Sequence, residues 1–299
     1  MYCPAANGVT NRRAVTGRME KDGRVPPFRI TYDEPGPLTT IAGDLDASAA
    51  PLPTDAIGLC RAAQRLVNLP EFATAAGVPD ERLDEKSIRS TTEIVRRILE
   101  LDAAPLDAKR TPEHRVVGTC RHFSVLSCAF LRYRGIPARS RCGFATYFPP
   151  GQHLDHWIVE YWHADDARWV RVDSEILGFP FVAAPDDLAP GEFLTGGEAW
   201  QACRAGADPM TFGVLGVDYA WGIAEVRGNA IRDLAALNKV EMLPWDEWGR
   251  MHASYEGETG TDYDELMDAI ATVCDSGDDA ATRDLYESED LAVPPEMII

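Results

Sequence analysis

The chain has 299 residues, a mass of 32.9 kDa, a hydrophobic fraction of 45% and a net charge of −19. That length holds one large domain or two ordinary ones, and that hydrophobic fraction is enough for a buried core. So acidic a chain is repelled by polyphosphates and by anionic membrane surfaces, and its apolar runs fall short of a bilayer span, which argues against nucleic-acid and membrane partners.

Residues 1–27 are polar, basic and without period, and are expected to be disordered, with Met19 a second candidate start. They hold no apolar signal stretch. The cysteines are Cys3, Cys60, Cys120, Cys128, Cys142, Cys203 and Cys274, odd in number, irregular in spacing and never in a C-x-x-C pair. Reduced thiols and a cytoplasmic location are therefore expected. Residues 28–32 (FRITY) read as a short strand and 34–53 as loop. Thr54 with Asp55 caps a helix expected to run to about Val67. In 81–101, Ile88, Ile94, Val95, Ile98 and Leu99 form the apolar stripe of one helix.

The stretch 115–175 changes character. Phe123, Leu126, Phe130 and Leu131 recur at helical spacing, Gly135 stands where a left-handed C′ residue belongs, and Pro137 blocks continuation. Three β-type runs follow, at 138–148, 155–163 and 168–173, and the turn 164–167 joins the last two as an antiparallel hairpin. Beyond 190 the pattern is mostly helical, at 195–205, 218–240 and 261–274, with Gly222 and Gly228 expected to kink or split the second of these. The aromatic segment 244–251 is expected to pack on the core, and the acidic tail 275–299 to fray.

Cys120, His156 and Asp173 are the candidate catalytic residues. A cysteine attacks as thiolate, so its pKa must fall from an ordinary value near 8.5. Cys120 opens the predicted helix, where backbone N–H dipoles favour an anion. His156 lies inside a strand and Asp173 ends the next strand of the same hairpin. One helix end facing two adjacent strands brings the three side chains together, with the carboxylate orienting the histidine. The N–H of Cys120 is one oxyanion donor. A second donor is not evident: Gln64 and Gln152 do not shortly precede the cysteine, and nothing orients His114.

The order GTCRHFSVLSCAFLRYRGIPAR, DHWIVEYWH, RWVRVD resembles the transglutaminase-like superfamily, through Gly118, Cys120, Gly135, Ile136, Pro137, Ala138, Arg139, His156, Trp169, Val170 and Asp173. The resemblance covers about a fifth of the chain. It implies an α+β, papain-like core in which a cysteine-bearing helix packs on an antiparallel sheet, a Cys120–His156–Asp173 triad, and no catalytic cofactor. It also implies acyl transfer to an amine, or amide or peptide hydrolysis, through a thioester on a peptide, protein or small amide substrate. Some members of the superfamily are inactive. Two positions depart from the usual pattern: Trp157 follows His156 directly, and Ser174 stands where proline is common.

The expected organisation is a disordered segment at 1–27, a catalytic domain at 28–190, a helical extension at 191–274 and an acidic tail at 275–299. Cys128 and Cys142 read as core, and a zinc site from Cys120, His122, Cys128 and Cys142 has the wrong spacing. His122 covers the triad or faces solvent, and His153 could line the cleft. Residues 109–141 hold eight lysines and arginines against Glu113 alone. They either pair with the acidic remainder or form a cationic rim that attracts an anionic donor.

Overall fold

A computed structural model describes residues 30–298. Residues 1–27, Cys3 among them, and the start of the FRITY segment lie outside that range, with the expectations stated for them. The remainder of FRITY is bend and turn, not strand. The expected loop at 34–53 contains a 3₁₀ turn and a short helix, α1 (Asp46–Ala49), seated by buried Leu45 and Ala49. Helix α2 (Ala56–Gln64) starts as its sequence predicts, with the Asp55 carboxylate accepting the Gly58 N–H at 2.7 Å. It stops short of Val67, which enters β1 (Val67–Asn68), and α3 (Pro70–Ala75) follows with proline at its first position.

The segment 81–101 is two elements. A 3₁₀ stretch (Asp80–Ser87) ends at extended Ile88, and Ser90 caps a new helix, α4 (Thr91–Leu101). The break has a cause. Glu85 is only 8% exposed and collects Arg82 (2.8 Å), Arg97 (2.8 Å) and the N–H of Val117 (2.9 Å), so the 3₁₀ stretch is tied to β2 (Val116–Val117). β2 runs parallel to β1 and leads directly to α5 (Cys120–Tyr133).

After α5 the chain turns at Gly135, whose φ of 73° suits glycine, and builds β3 (Ala138–Ala145), β4 (His153–His163) and β5 (Arg168–Val172). β6 (Phe193–Thr195) returns to β3, giving the antiparallel order β5-β4-β3-β6. The sheet thus draws a strand from beyond residue 190. Helix α6 (Gly196–Arg204) has a Thr195/Glu198 capping box, and β7 (Phe212–Gly213) adds to β4 in parallel. Helix α7 (Ile223–Leu237) begins only after Gly222 (φ 102°), which cuts 218–221 from the expected helix, and it runs through buried Gly228 unbroken. A Cβ at Gly228 would meet the Tyr255 hydroxyl at 2.5 Å, so close approach explains the residue.

Helices α8 (Arg250–Glu256) and α9 (Thr261–Ser276) follow. The tail does not fray. Helix α10 (Asp279–Glu287) is capped by Asp278, and Leu291 and Val293 are buried beyond it. In the aromatic segment Trp248 is buried and Trp245 exposed.

Two cores flank the sheet-and-helix centre. In one, Leu126, Phe130 and Leu131 of α5 meet Leu59 of α2, Ile94 of α4, and Val159, Val170 and Val172 of the sheet. In the other, Ile231 and Leu234 of α7 meet Phe144 of β3, Trp200 of α6, Ile270 of α9, Trp248 and Leu291. Among the described residues no helix is long and apolar enough to cross a membrane.

Burial works to raise the Glu85 carboxyl, but the bonds from Arg82, Val117 and Arg97 outweigh it and hold the group below the ordinary carboxylate range. Its contribution to stability is therefore present above its unfolded value and fades as pH falls through the depressed one. Glu85→Gln is expected to cost about 1–3 kcal/mol at neutral pH, measured by urea unfolding, with the deficit shrinking toward acid.

Candidate active site

Cys120 is the first residue of α5, and the approach to it is built from local contacts. The Asn68 carbonyl accepts the Gly118 N–H at 2.9 Å, continuing the β1–β2 pairing. The Thr119 N–H then donates to His122 Nδ1 at 3.1 Å, and the His122 N–H to the Thr119 carbonyl at 2.8 Å. A Cβ at Gly118 would lie 2.6 Å from the His122 ring, so this folded-back histidine requires glycine there. Burial pushes His122 down to about 3, with the Arg121 charge adding to the effect. It is a buried, neutral cap on the start of α5 and does not face solvent.

The half-buried Cys120 thiol lies close enough to His156 for each to shift the other's proton affinity. His156 is 3% exposed, and its Nε2 lies 2.9 Å from Asp173 Oδ2, which leaves Nδ1 as the other ring nitrogen. The structure therefore brings Cys120, His156 and Asp173 together. Asp173 also accepts the Glu175 N–H on Oδ1 at 3.0 Å and the Tyr147 hydroxyl on Oδ2, the oxygen that His156 uses. Ser174 Oγ meets Ser127 Oγ of α5 at 2.8 Å in the interior. The serine in place of proline thus fastens the residue after Asp173 to the cysteine-bearing helix. Gln64 is spent on the carbonyls of Glu175 and Leu177, both at 2.9 Å.

Burial opposes a charge on His156, but the Asp173 carboxylate, its hydrogen bond and the neighbouring thiol outweigh it and raise the imidazole well above its ordinary value. Burial also dominates at Cys120 and pushes the thiol up. The hydrogen bond and charge of His156 pull it down, and Asp155 and Glu175 push it up again. Burial likewise raises Cys60 to about 11 and Cys128 to about 12, and raises Cys142 well above its ordinary value. None of these three has a histidine beside it to oppose the rise.

Residues 83–174 match the model of the transglutaminase-like superfamily, a generally enzymatic and cysteine-dependent group. That stretch, about a third of the chain, is thus similar to a transglutaminase-like core. No curated protein and no solved structure matches it.

Three residues around the transglutaminase-like core's cysteine escape sequence reasoning. Tyr147 comes from the 146–152 loop, whose Phe148 ring stands edge-on to His156 at 5.4 Å. Trp157 is 1% exposed, and its Nε1 has no hydrogen-bond partner among the described residues. It packs with Cys142 and Ala236 in the small cluster that Cys120 joins. Its position directly after His156 was the one available signal. Glu175 carried none.

Other candidates are engaged elsewhere. His153 stacks on Phe212 with centroids 4.2 Å apart, and His114 lies in a 3₁₀ turn. Among the described residues no three His, Cys, Asp or Glu side chains are placed to hold a metal ion. The basic segment pairs inward. Arg139 and Arg141 bind Glu160, Arg141 also binds Asp233, and Arg132 binds Glu241. Arg110, Arg115, Arg121 and Arg134 donate to backbone carbonyls.

In Asp173→Asn, burial acts on His156 without its main opponent, so the imidazole is expected to titrate at lower pH than in the wild type. Ring NMR of wild type and variant reads this directly. The raised imidazole contributes stability fully below about 6.5, and that contribution is lost as pH rises through the raised value. The acid-side stability difference between the two proteins should accordingly shrink with rising pH.

Proposed function

We propose that this protein is a cysteine-dependent acyl-transfer enzyme that opens an amide or peptide bond through a Cys120 thioester. The observation that carries the reading is the Cys120–His156–Asp173 contact at the start of α5. The neutral form of His156 takes the thiol proton, and Cys120 Sγ bonds to the carbonyl carbon of the substrate. As the C–N bond breaks, His156 returns the proton to the leaving amine. It then takes a proton from water or from an acceptor amine, which attacks the thioester and releases Cys120. Asp173 keeps the ring oriented and supports its charge. Hydrolysis and transfer share every one of these groups and differ only in which nucleophile reaches the thioester.

The tetrahedral oxygen needs two donors. The free N–H of Cys120 at the helix start is one, and the unpartnered Nε1 of Trp157 is the group best suited to be the other. Trp157→Phe is expected to cut turnover of an amide substrate by about a hundredfold. Iodoacetamide labelling of Cys120 should be unchanged, because alkylation at a methylene builds no tetrahedral oxyanion.

One observation favours the competing reading, a transglutaminase-like fold retained for binding or assembly: the net upward push on the half-buried thiol. Iodoacetamide labelling against pH, with the site located by mass spectrometry, separates the two. For an enzyme, His156→Ala should slow Cys120 labelling at pH 7 by about tenfold or more and move it to higher pH, since burial, Asp155 and Glu175 then act without the imidazole's pull. Labelling indifferent to His156 would sink the catalytic reading.

A further inference from the structure

The surroundings of Cys120 hold one more carboxyl group than the proposed reaction uses. Glu175 lies two residues beyond Asp173, and its backbone is pinned on both sides. Its N–H donates to Asp173 Oδ1 at 3.0 Å, and Gln64 Nε2 reaches its carbonyl at 2.9 Å. The side chain therefore leaves a fixed point beside the triad residues. Its Oε2 is sealed from solvent and has no hydrogen-bond partner among the described residues. An acceptor buried in this way costs free energy unless something arrives to satisfy it.

The charges that face Glu175 are His156 from β4, Asp173 after β5 and Glu71 from α3. Its own charge in turn reaches the Cys120 thiol and the Tyr147 hydroxyl. His156 is the one cation in that set, and it is already bonded to Asp173. Asp155 adds a further carboxylate close to the thiol. No arginine of the basic segment relieves this, because their guanidinium groups bind Glu160, Asp233, Glu241 and backbone carbonyls. Burial first, and then Asp173 and Glu71, push the Glu175 carboxyl up to about 7, as expected of a carboxylate lacking a counter-charge.

We propose that Glu175 is a specificity-determining residue that receives a positively charged group of the substrate, an ammonium or a guanidinium, beside Cys120. The inference rests on the reading of Cys120 as the reactive thiol. An anionic group in the same place would meet Glu175, Asp173 and Glu71 with a single imidazolium among them, and the Asp155 carboxylate, which Arg232 offsets, close by. The Glu175 side chain is only partly buried, so a cation can approach its carboxylate and offset the repulsion.

The test needs no natural substrate. Cys120 is labelled at pH 8 with two methanethiosulfonates of fixed charge, one carrying trimethylammonium and one sulfonate, and with neutral iodoacetamide. Each modified cysteine is located by mass spectrometry. The cation-to-anion rate ratio at Cys120 is expected to fall about tenfold in Glu175→Gln, while the ratio at partly buried Cys203 on α6 stays fixed. In the wild type alone, the Cys120 ratio should fall between pH 8 and pH 6 as Glu175 takes up a proton. A Cys120 ratio that neither the substitution nor the pH change moves would overturn the proposal. Rapid His156-dependent labelling by iodoacetamide in that same protein would show that the thiol reading survives it. Slow labelling indifferent to His156 would instead remove both.

Discussion

The guanidinium of Arg141 holds the two halves of this molecule in register. It is buried on β3 and bound in bidentate fashion to Asp233 of α7 at 2.9 and 2.7 Å, while Glu160 of β4 takes its remaining edge at 3.2 Å. Asp233 also accepts the Cys142 N–H at 3.0 Å, so a helix side chain is tied into the strand. A charge in so dry a place is tolerable only when every partner is present, and removing one leaves the others stranded. The consequence is positional. α7 is locked against the strand that pairs with His156, and Asn229 of the same helix reaches both the Gly143 carbonyl (3.2 Å) and Asp155 (2.7 Å). The C-terminal helices thus fix one wall of the site.

The opposite wall is fixed from Asp173. That carboxylate gathers His156, Tyr147 and the Glu175 N–H, and the neighbouring Ser174–Ser127 bond presses the assembly onto α5. The result is a thiol and an imidazole enclosed by carboxylates. Such a setting supports a charged imidazole and resists a thiolate. In the proposed enzyme, His156 therefore favours its charged form while the thiol keeps its proton, and the reactive thiolate gains most when a substrate brings compensating charge.

Much of this arrangement is legible in the chain. The helix from Cys120 to Gly135 and the hairpin through His156 to Asp173 announce themselves through spacing, a left-handed glycine and a short turn, all local signals. The misreadings share a cause, since tertiary partners decided them. A single apolar stripe over 81–101 hides the break that Glu85 imposes through a bond 32 residues away. The acidic tail holds its helix because Leu291 and Val293 reach a core that no local pattern reveals. Gly228 looks like a helix breaker until Tyr255 is placed against it. In the site, Tyr147 and Glu175 stand in loops, and only the folded chain brings their side chains to Asp173 and Cys120.

The shared oxygen of Asp173 links the shielding of His156 to its charge balance. Tyr147 and His156 draw on the same Oδ2, and Tyr147 rides on the loop whose Phe148 leans on the imidazole and touches half-exposed Phe181. The residue pair that roofs the imidazole is thus also the pair that shares its counter-charge. A change in how Phe148 packs cannot leave the Tyr147 bond to Oδ2 untouched, so shielding and charge balance at His156 are set by the same few atoms.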